Sequence, residues 1–297
     1  MSPAFWRTLI AFAIVIVAAG NEWFLAAVYG EDEVQCGVGA FPVQLAHVPE
    51  ASGLAPSRRH PDLFWTFNDS ADPTLYGIDT NGDPRAHVQV PGMASGDWED
   101  LSTGPCGSQS CLYLADIGDN DGMRTSIRVL RVPEPRQRDH MTDQPETFEA
   151  RYPDRPHDAE AAFVLPDGQL FVITKEKFAV VYKFPLQAGQ ATTLERVAAL
   201  PLNDVTDADA SADGGRIAVR TKEEVVFYRT AELLKGDVEH GTAIPTKDLG
   251  EAQGEGVAFG ANGLVGLVGE GGGKKKSPQP GTLATLQCEF KDAAAGR

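Results

Sequence analysis

Short apolar runs separated by turn residues recur along the chain, and in five places they share one outline. An acidic residue opens a short apolar strand, a turn follows, and a second β-rich strand ends on an acidic or amide group. The five units start at Glu50 (EASGLA, then DLFWTFND), Glu99 (EDLS, then CLYLADIGD), Glu160 (EAAFVL, then QLFVITKE), Asp209 (DASA, then RIAVRTKE) and Glu255 (EGVAFG, then GLVGLVGE). A spacing of 46 to 61 residues made of strands and turns predicts an all-β fold, a β-propeller with one blade per repeat.

Each repeat supplies up to four strands, with hairpin turns at Asn81-Gly82 and Asp167-Gly168. The fifth repeat is one strand short, and PVQLAHV, ahead of the first repeat, has no partner of its own. The pattern therefore predicts a five-bladed propeller of four-stranded antiparallel blades, closed by this N-terminal strand and occupying residues 31–297. A six-bladed ring with a degenerate blade in residues 120–160 is the alternative.

The ring gives the acidic residues a meaning. The first strand of each blade lines the central channel, and antiparallel pairing returns the end of the second strand to the same rim, roughly 4.8 Å further out. The inner ring is then Glu50, Glu99, Glu160, Asp209 and Glu255, with Asp207 the alternative in repeat four. The outer set is Asp69, Asp116 or Asp119, Glu176, Glu223 and Glu270. Two carboxylates about 6 Å apart repel by roughly 3 kcal/mol at an effective dielectric near 20. Protonation, pairing with Lys175, Lys222 or Arg220, or a hard cation on the axis can offset that. Calcium suits this set of Glu, Asp and the amides Asn68 and Asn120, because it takes about six to eight oxygen ligands in irregular geometry. The other reading is a ring of carboxylates that cap turns. Trp98 flanks the rim and can stack on a ligand or fill the interface between blades.

Composition narrows the partners. The chain of 297 residues is 42% apolar and 23% charged, as expected of a globular protein, and carries a net charge of −16. That charge disfavours a nucleic-acid partner and favours cations or cationic ligands. No GxSxG, HExxH, Walker loop or dinucleotide fingerprint is present, and DIGDNDG fails the EF-hand pattern because Ile117 holds a ligand position. Thr8–Gly20 is an apolar core of signal-peptide length, and Thr8–Val28 is long enough to span a bilayer, so residues 1–30 read as a signal peptide or an N-terminal membrane anchor. Four cysteines suit an oxidising compartment. Cys106 and Cys111 staple a short loop, and ring closure predicts that Cys36 pairs with Cys288. The expectation is an exported monomer, extracellular or associated with the cell envelope.

The run from EASGLA through WTFNDS, LYGID, DWEDL, LYLADIGDN, RYPD, HDAEA, LFVITKE and GEGVAF resembles a group of exported actinobacterial propeller proteins without an established activity. In outline it is also similar to calcium-dependent five-bladed apyrases and to six-bladed lactonases and phosphotriesterases. That likeness rests on the Glu at the start of a blade, matched by Glu99, Glu160 and Glu255, and implies calcium in the channel.

Two functions remain open on the sequence alone. One is a binding module whose rim takes a small-molecule, glycan or protein ligand, with Asp69, Asn68, Asn120, Trp98, Lys175, Glu223 and Glu270 as contacts. The other is a metal-dependent hydrolase of phosphate esters or lactones, with His157, Glu176 or Asp119 activating water.

Overall fold

A computed structural model of the chain describes residues 34–69, 73–92, 96–274 and 277–291. The expected signal peptide or anchor lies outside the described residues. Strand β1 (Val34–Leu45) comes first. Blade 1 holds β2 (Ala51–Pro56), β3 (Leu63–Asn68), β4 (Thr74–Asp79) and β5 (Pro84–Gln89). Blade 2 holds β6 (Trp98–Cys106), β7 (Gln109–Asp116), β8 (Ile127–Pro133) and β9 (Glu146–Arg151). In blade 3, β10 (Ala159–Val164), β11 (Leu170–Thr174) and β12 (Val180–Phe184) are followed by β13 (Thr192–Thr193), which crosses to pair in parallel with β9, and then by β14 (Glu195–Ala199). Blade 4 holds β15 (Val205–Ala210), β16 (Arg216–Thr221), β17 (Glu224–Arg229) and β18 (Thr242–Pro245), with one helical turn, α1 (Thr230–Leu233), before the last strand. Blade 5 holds β19 (Gln253–Phe259) and β20 (Leu264–Glu270). A two-rung ribbon of β21 (Gly273–Lys274) and β22 (Ser277–Pro278) follows, then β23 (Gly281–Phe290).

The ring has five blades. Residues 120–160 supply the outer strands of blade 2, and no sixth sheet of blade size occurs among the described residues. The missing strand of blade 5 is β1, antiparallel to β23 from Val34 opposite Phe290 to Leu45 opposite Gly281. This closing strand starts earlier than PVQLAHV. Cys36 faces Cys288 within that ladder and is bonded to it, and Cys106 is bonded to Cys111.

Position in the blade explains the hydrophobic pattern. Strands β2, β10 and β15 are buried along their whole length, so they read as runs of small and apolar residues without alternation. Outer strands such as β9 and β14 have water on one side and mix polar with apolar positions. The core lies between blades. Trp65, Phe67, Leu101 and Leu112 fill the gap from blade 1 to blade 2, and Leu54, Phe64, Val268 and Leu283 fill the one from blade 5 back to blade 1. Polar ties reinforce this packing. Arg220, fully buried on β16, donates from Nη1 to the carbonyls of Gly256 at 2.5 Å and Val268 at 3.0 Å in blade 5, and pairs through Nη2 with Glu251.

Candidate functional site

A β-bulge interrupts the first strand of every blade near the same end of the ring. The register slips between Ser52 and Ala55, Trp98 and Asp100, Ala159 and Ala161, Val205 and Asp207, and Gly254 and Gly256. A bulge re-aims the side chain of its extra residue. Here the extra residues are Glu99, Glu160, Thr206 and Glu255. In blade 1, Ser52 stands level with Thr206, because Ser52 Oγ donates to the Glu99 carbonyl at 3.1 Å just as Thr206 Oγ1 donates to the Glu255 carbonyl at 2.8 Å. The inner ring is thus three glutamates and two hydroxyls.

Two expected members of that ring sit elsewhere. Glu50 precedes β2, and its carbonyl accepts the Asp69 N–H at 3.0 Å. Asp209 lies deep in the channel wall, where it accepts the Phe259 N–H at 2.8 Å and the Ala210 N–H at 2.8 Å. Between it and the rim stands Asp207, level with Asp100 of blade 2. Asp207 Oδ2 accepts the N–H groups of Leu54 at 3.1 Å and Val257 at 2.6 Å, and Asp100 Oδ2 accepts that of Ala162. All three acids are buried. They tie blades to one another below the rim.

The outer set also departs from expectation in three blades. The residues one past the partners of Ala51, Trp98, Ala159, Val205 and Gly254 on the second strands are Asp69, Ile117, Lys175, Lys222 and Glu270. Lys175 and Lys222 therefore stand where Glu176 and Glu223 are expected. Lys175 Nζ is paired with Glu160, and Gln253 Nε2 donates to Glu255. Glu223 is an exposed turn residue.

The remaining candidates serve the scaffold. Trp98 is buried between blades 1 and 2, edge-on to Phe67 at 5.6 Å, and presents no open face to a ligand. Asn68 accepts the Glu50 N–H at 3.1 Å and donates to the His47 carbonyl at 3.3 Å. Asn120 is exposed on the loop after β7. Asp119 is buried and accepts the N–H groups of Met123 at 2.8 Å and Arg124 at 2.9 Å, as a loop-capping aspartate does. Asp116 is clamped by Arg124 and Arg128. His157 lies between two carboxylates, with Nδ1 2.9 Å from Glu176 Oε2 and Nε2 3.0 Å from Asp154 Oδ1. Both ring nitrogens are therefore held by carboxylates of the scaffold. Glu176 is further held by Arg155 at 2.9 Å.

Burial and like charge dominate the rim. Burial first, then Glu160, Asp97, Asp69 and Asp158, push the Glu99 carboxyl up to about 10. Burial raises Glu255 to about 7, against the Gln253 hydrogen bond and with help from Glu270. Asp69, Asp97, Glu160 and Glu270 are all raised, each by burial first. Burial alone lowers Lys175, but its bond to Glu160 and the surrounding acids raise it overall. Glu99 Oε1 and Asp97 Oδ2 converge on Gly118, where an added Cβ meets them at 2.1 and 2.5 Å. Only glycine leaves room for both.

Asp97 and Asp158 are members that the reading by repeats overlooks. The signal was present as a three-residue pattern at the start of each blade: Glu50-Ala-Ser52, Asp97-Trp-Glu99, Asp158-Ala-Glu160, Asp204-Val-Thr206 and Gln253-Gly-Glu255. A carboxylate or amide always stands two residues before the residue that faces the axis.

Calcium does not fit this rim as it stands. An oxygen-only ion needs several converging carboxylates, whereas Glu160 is occupied by the Lys175 ammonium and Glu255 by Gln253. Among the described residues, no three His, Cys, Asp or Glu side chains are grouped to hold a metal.

No protein-family model and no curated protein matches the sequence. Solved structures do. The chain is similar to the PQQ-bound aldose sugar dehydrogenase from Streptomyces coelicolor, at 11% identity over 87% of this chain and 99% of that one, with a TM-score of 0.53. It is also similar to a gluconolactonase from Xanthomonas campestris (11% identity, 84% and 90% covered, TM-score 0.48). A third is the calcium-binding protein regucalcin from Agrobacterium tumefaciens (10% identity, 86% and 96% covered, TM-score 0.45). The first likeness shows a shared propeller fold, and at this identity none of the three carries an activity to this chain.

Proposed function

We propose that this propeller is an exported binding protein whose acidic rim takes a cationic group of a small or peptide ligand. The observation that carries the reading is Glu99. Its carboxyl stands among Asp97, Asp69, Asp158 and Glu160, with burial and like charge holding its proton on. Among the described residues no cation bonds to it. A positive ligand group replaces that proton and relieves the repulsion in one step. Phe178 and Met123, both strongly exposed, sit on loops at the same end of the ring and supply apolar contact for the body of such a ligand. The two disulfides support an oxidising compartment, and the apolar run before Asn21 supports export.

A hydrolase reading gains no specific observation, since His157, Glu176 and Asp119 are already engaged by the scaffold. Titration calorimetry with 1,4-diaminobutane, and separately with calcium chloride, tests the proposal. Diamine heat that is lost in Glu99→Gln supports it. Binding that is absent, or unchanged in Glu99→Gln, removes it, and tight calcium binding at Glu99 replaces the organic cation with a metal.

A further inference from the structure

A second cleft, of about 520 Å³, lies outside blade 1, between the edge strand β5 and the loop that follows β8. It shares no residue with the rim. The loop is fastened beside β5 by the Gln89 N–H, which donates to the His140 carbonyl at 3.0 Å, and by the Thr142 N–H, which donates to the Gln89 carbonyl at 2.9 Å. Tyr76 on β4 and His87 on β5 are cross-strand partners, and their rings stack nearly parallel, with centroids 5.1 Å apart and planes 10° apart. Because β5 is the edge, His87 is the member on the cleft side. It is exposed, while Tyr76 beneath it is half-buried. Gln137, Asp139, His140 and His47 complete the lining with planar hydrogen-bonding groups.

The charged groups of this cleft are bonded within the scaffold. The Arg85 guanidinium at its edge is taken up by Asp79 at 3.0 Å through Nε, and Asp139 Oδ2 accepts the Arg136 N–H at 2.8 Å. A flat ring stack facing amide, imidazole and carboxylate groups that hydrogen-bond hydroxyls suits a hydroxylated ligand. We propose that the cleft binds a neutral sugar ring, with its C–H face on the His87–Tyr76 stack and its hydroxyls directed to Gln137, Asp139 and His140. Ring C–H groups carry partial positive charge and are attracted to the negative face of an aromatic ring. The volume lies in the range of small-ligand sites, roughly 300–1,000 Å³.

Saturation-transfer NMR of the full chain with methyl glucopyranoside, methyl galactopyranoside and maltose tests this assignment. At least one of the three should receive saturation at its ring C–H protons. His87→Ala should weaken that binding about tenfold, and His87→Phe should restore it. Since His87 is exposed, circular dichroism should show an unchanged melting transition in both variants. Saturation of none of the three sugars, or equal binding by His87→Ala, overturns the proposal. So does binding that is lost in Glu99→Gln, which moves the sugar to the rim.

Discussion

Asp207 of blade 4 accepts the Val257 N–H of blade 5 at 2.6 Å through Oδ2, in a buried layer that also holds Asp100 of blade 2. Among the described residues Asp207 Oδ1 is buried without a hydrogen-bond partner, so a full negative charge there is costly. Burial raises Asp207, with the charge of Asp100 adding to it, and burial raises Asp209 from 3.8 to about 7. An acid whose folded-state value is raised binds more protons folded than unfolded, so the stability it contributes is complete below its unfolded value and lost as the pH climbs through its folded one. The window set by Asp209 and Glu255 runs from about pH 4 to about pH 7, and Glu99 extends it to about 10. For Asp209 alone the shift amounts to up to about 4 kcal/mol. Thermal unfolding should therefore give a higher Tm near pH 5 than near pH 8. A Tm that rises steadily toward pH 8 would contradict protonated acids in this layer. The exposed acids Asp167 and Asp213, lowered by local hydrogen bonds, act in the opposite sense below about pH 4.

On the proposed reading, ligand binding at the rim is a proton-exchange reaction at Glu99. A cation that docks on its carboxyl at about pH 7 expels the proton held there. Affinity for 1,4-diaminobutane should rise with pH. Calorimetry in buffers of different ionisation enthalpy should register close to one proton released per ligand, and in Glu99→Gln that release should vanish. The same substitution should change Tm little at pH 7, because the side chain it replaces is already neutral.

The two disulfides should differ widely in effect. The bond from Cys36 to Cys288 spans 252 residues, whereas the one from Cys106 to Cys111 spans 5. In the loop-entropy model the long closure contributes up to roughly 5 kcal/mol. Replacing Cys36 and Cys288 together by Ser should lower the urea midpoint substantially, and replacing the short pair should shift it only slightly.

Arg220 should be among the most sensitive positions of the fold. Its guanidinium satisfies two carbonyls of blade 5 and the Glu251 carboxylate, with no exposure to water. Arg220→Ala leaves a buried charge and two acceptors unmatched, at a cost of roughly 3–5 kcal/mol. Urea titration should show that Arg220→Ala with Glu251→Leu is less damaging than Arg220→Ala alone.

The blades were legible because each repeat carries its own turns and its own strand pair, as in EAAFVL and QLFVITKE. The closing strand was legible because PVQLAHV had nowhere else to go. Membership of the rim was not, because it depends on bulges that move a side chain by one position without leaving a mark in local composition. That is why Thr206 and Ser52, rather than Asp209 and Glu50, stand level with Glu99. The same slip puts Lys175 and Lys222 where Glu176 and Glu223 were expected. Bonds between blades, such as Asp100 to the Ala162 N–H, join residues 62 apart and have no local signature. His157 kept the look of a base until its two carboxylate neighbours were seen together.

Blade 5 is built from both ends of the chain, with Val34 opposite Phe290. During synthesis this sheet cannot form until the ribosome has delivered β23, so four blades must wait for the last piece before the circle shuts. Contacts so distant along the sequence slow folding. A truncated product ending before Gly281 would leave Leu267 and Val268 without the neighbours that bury them, a sticky seam prone to aggregation.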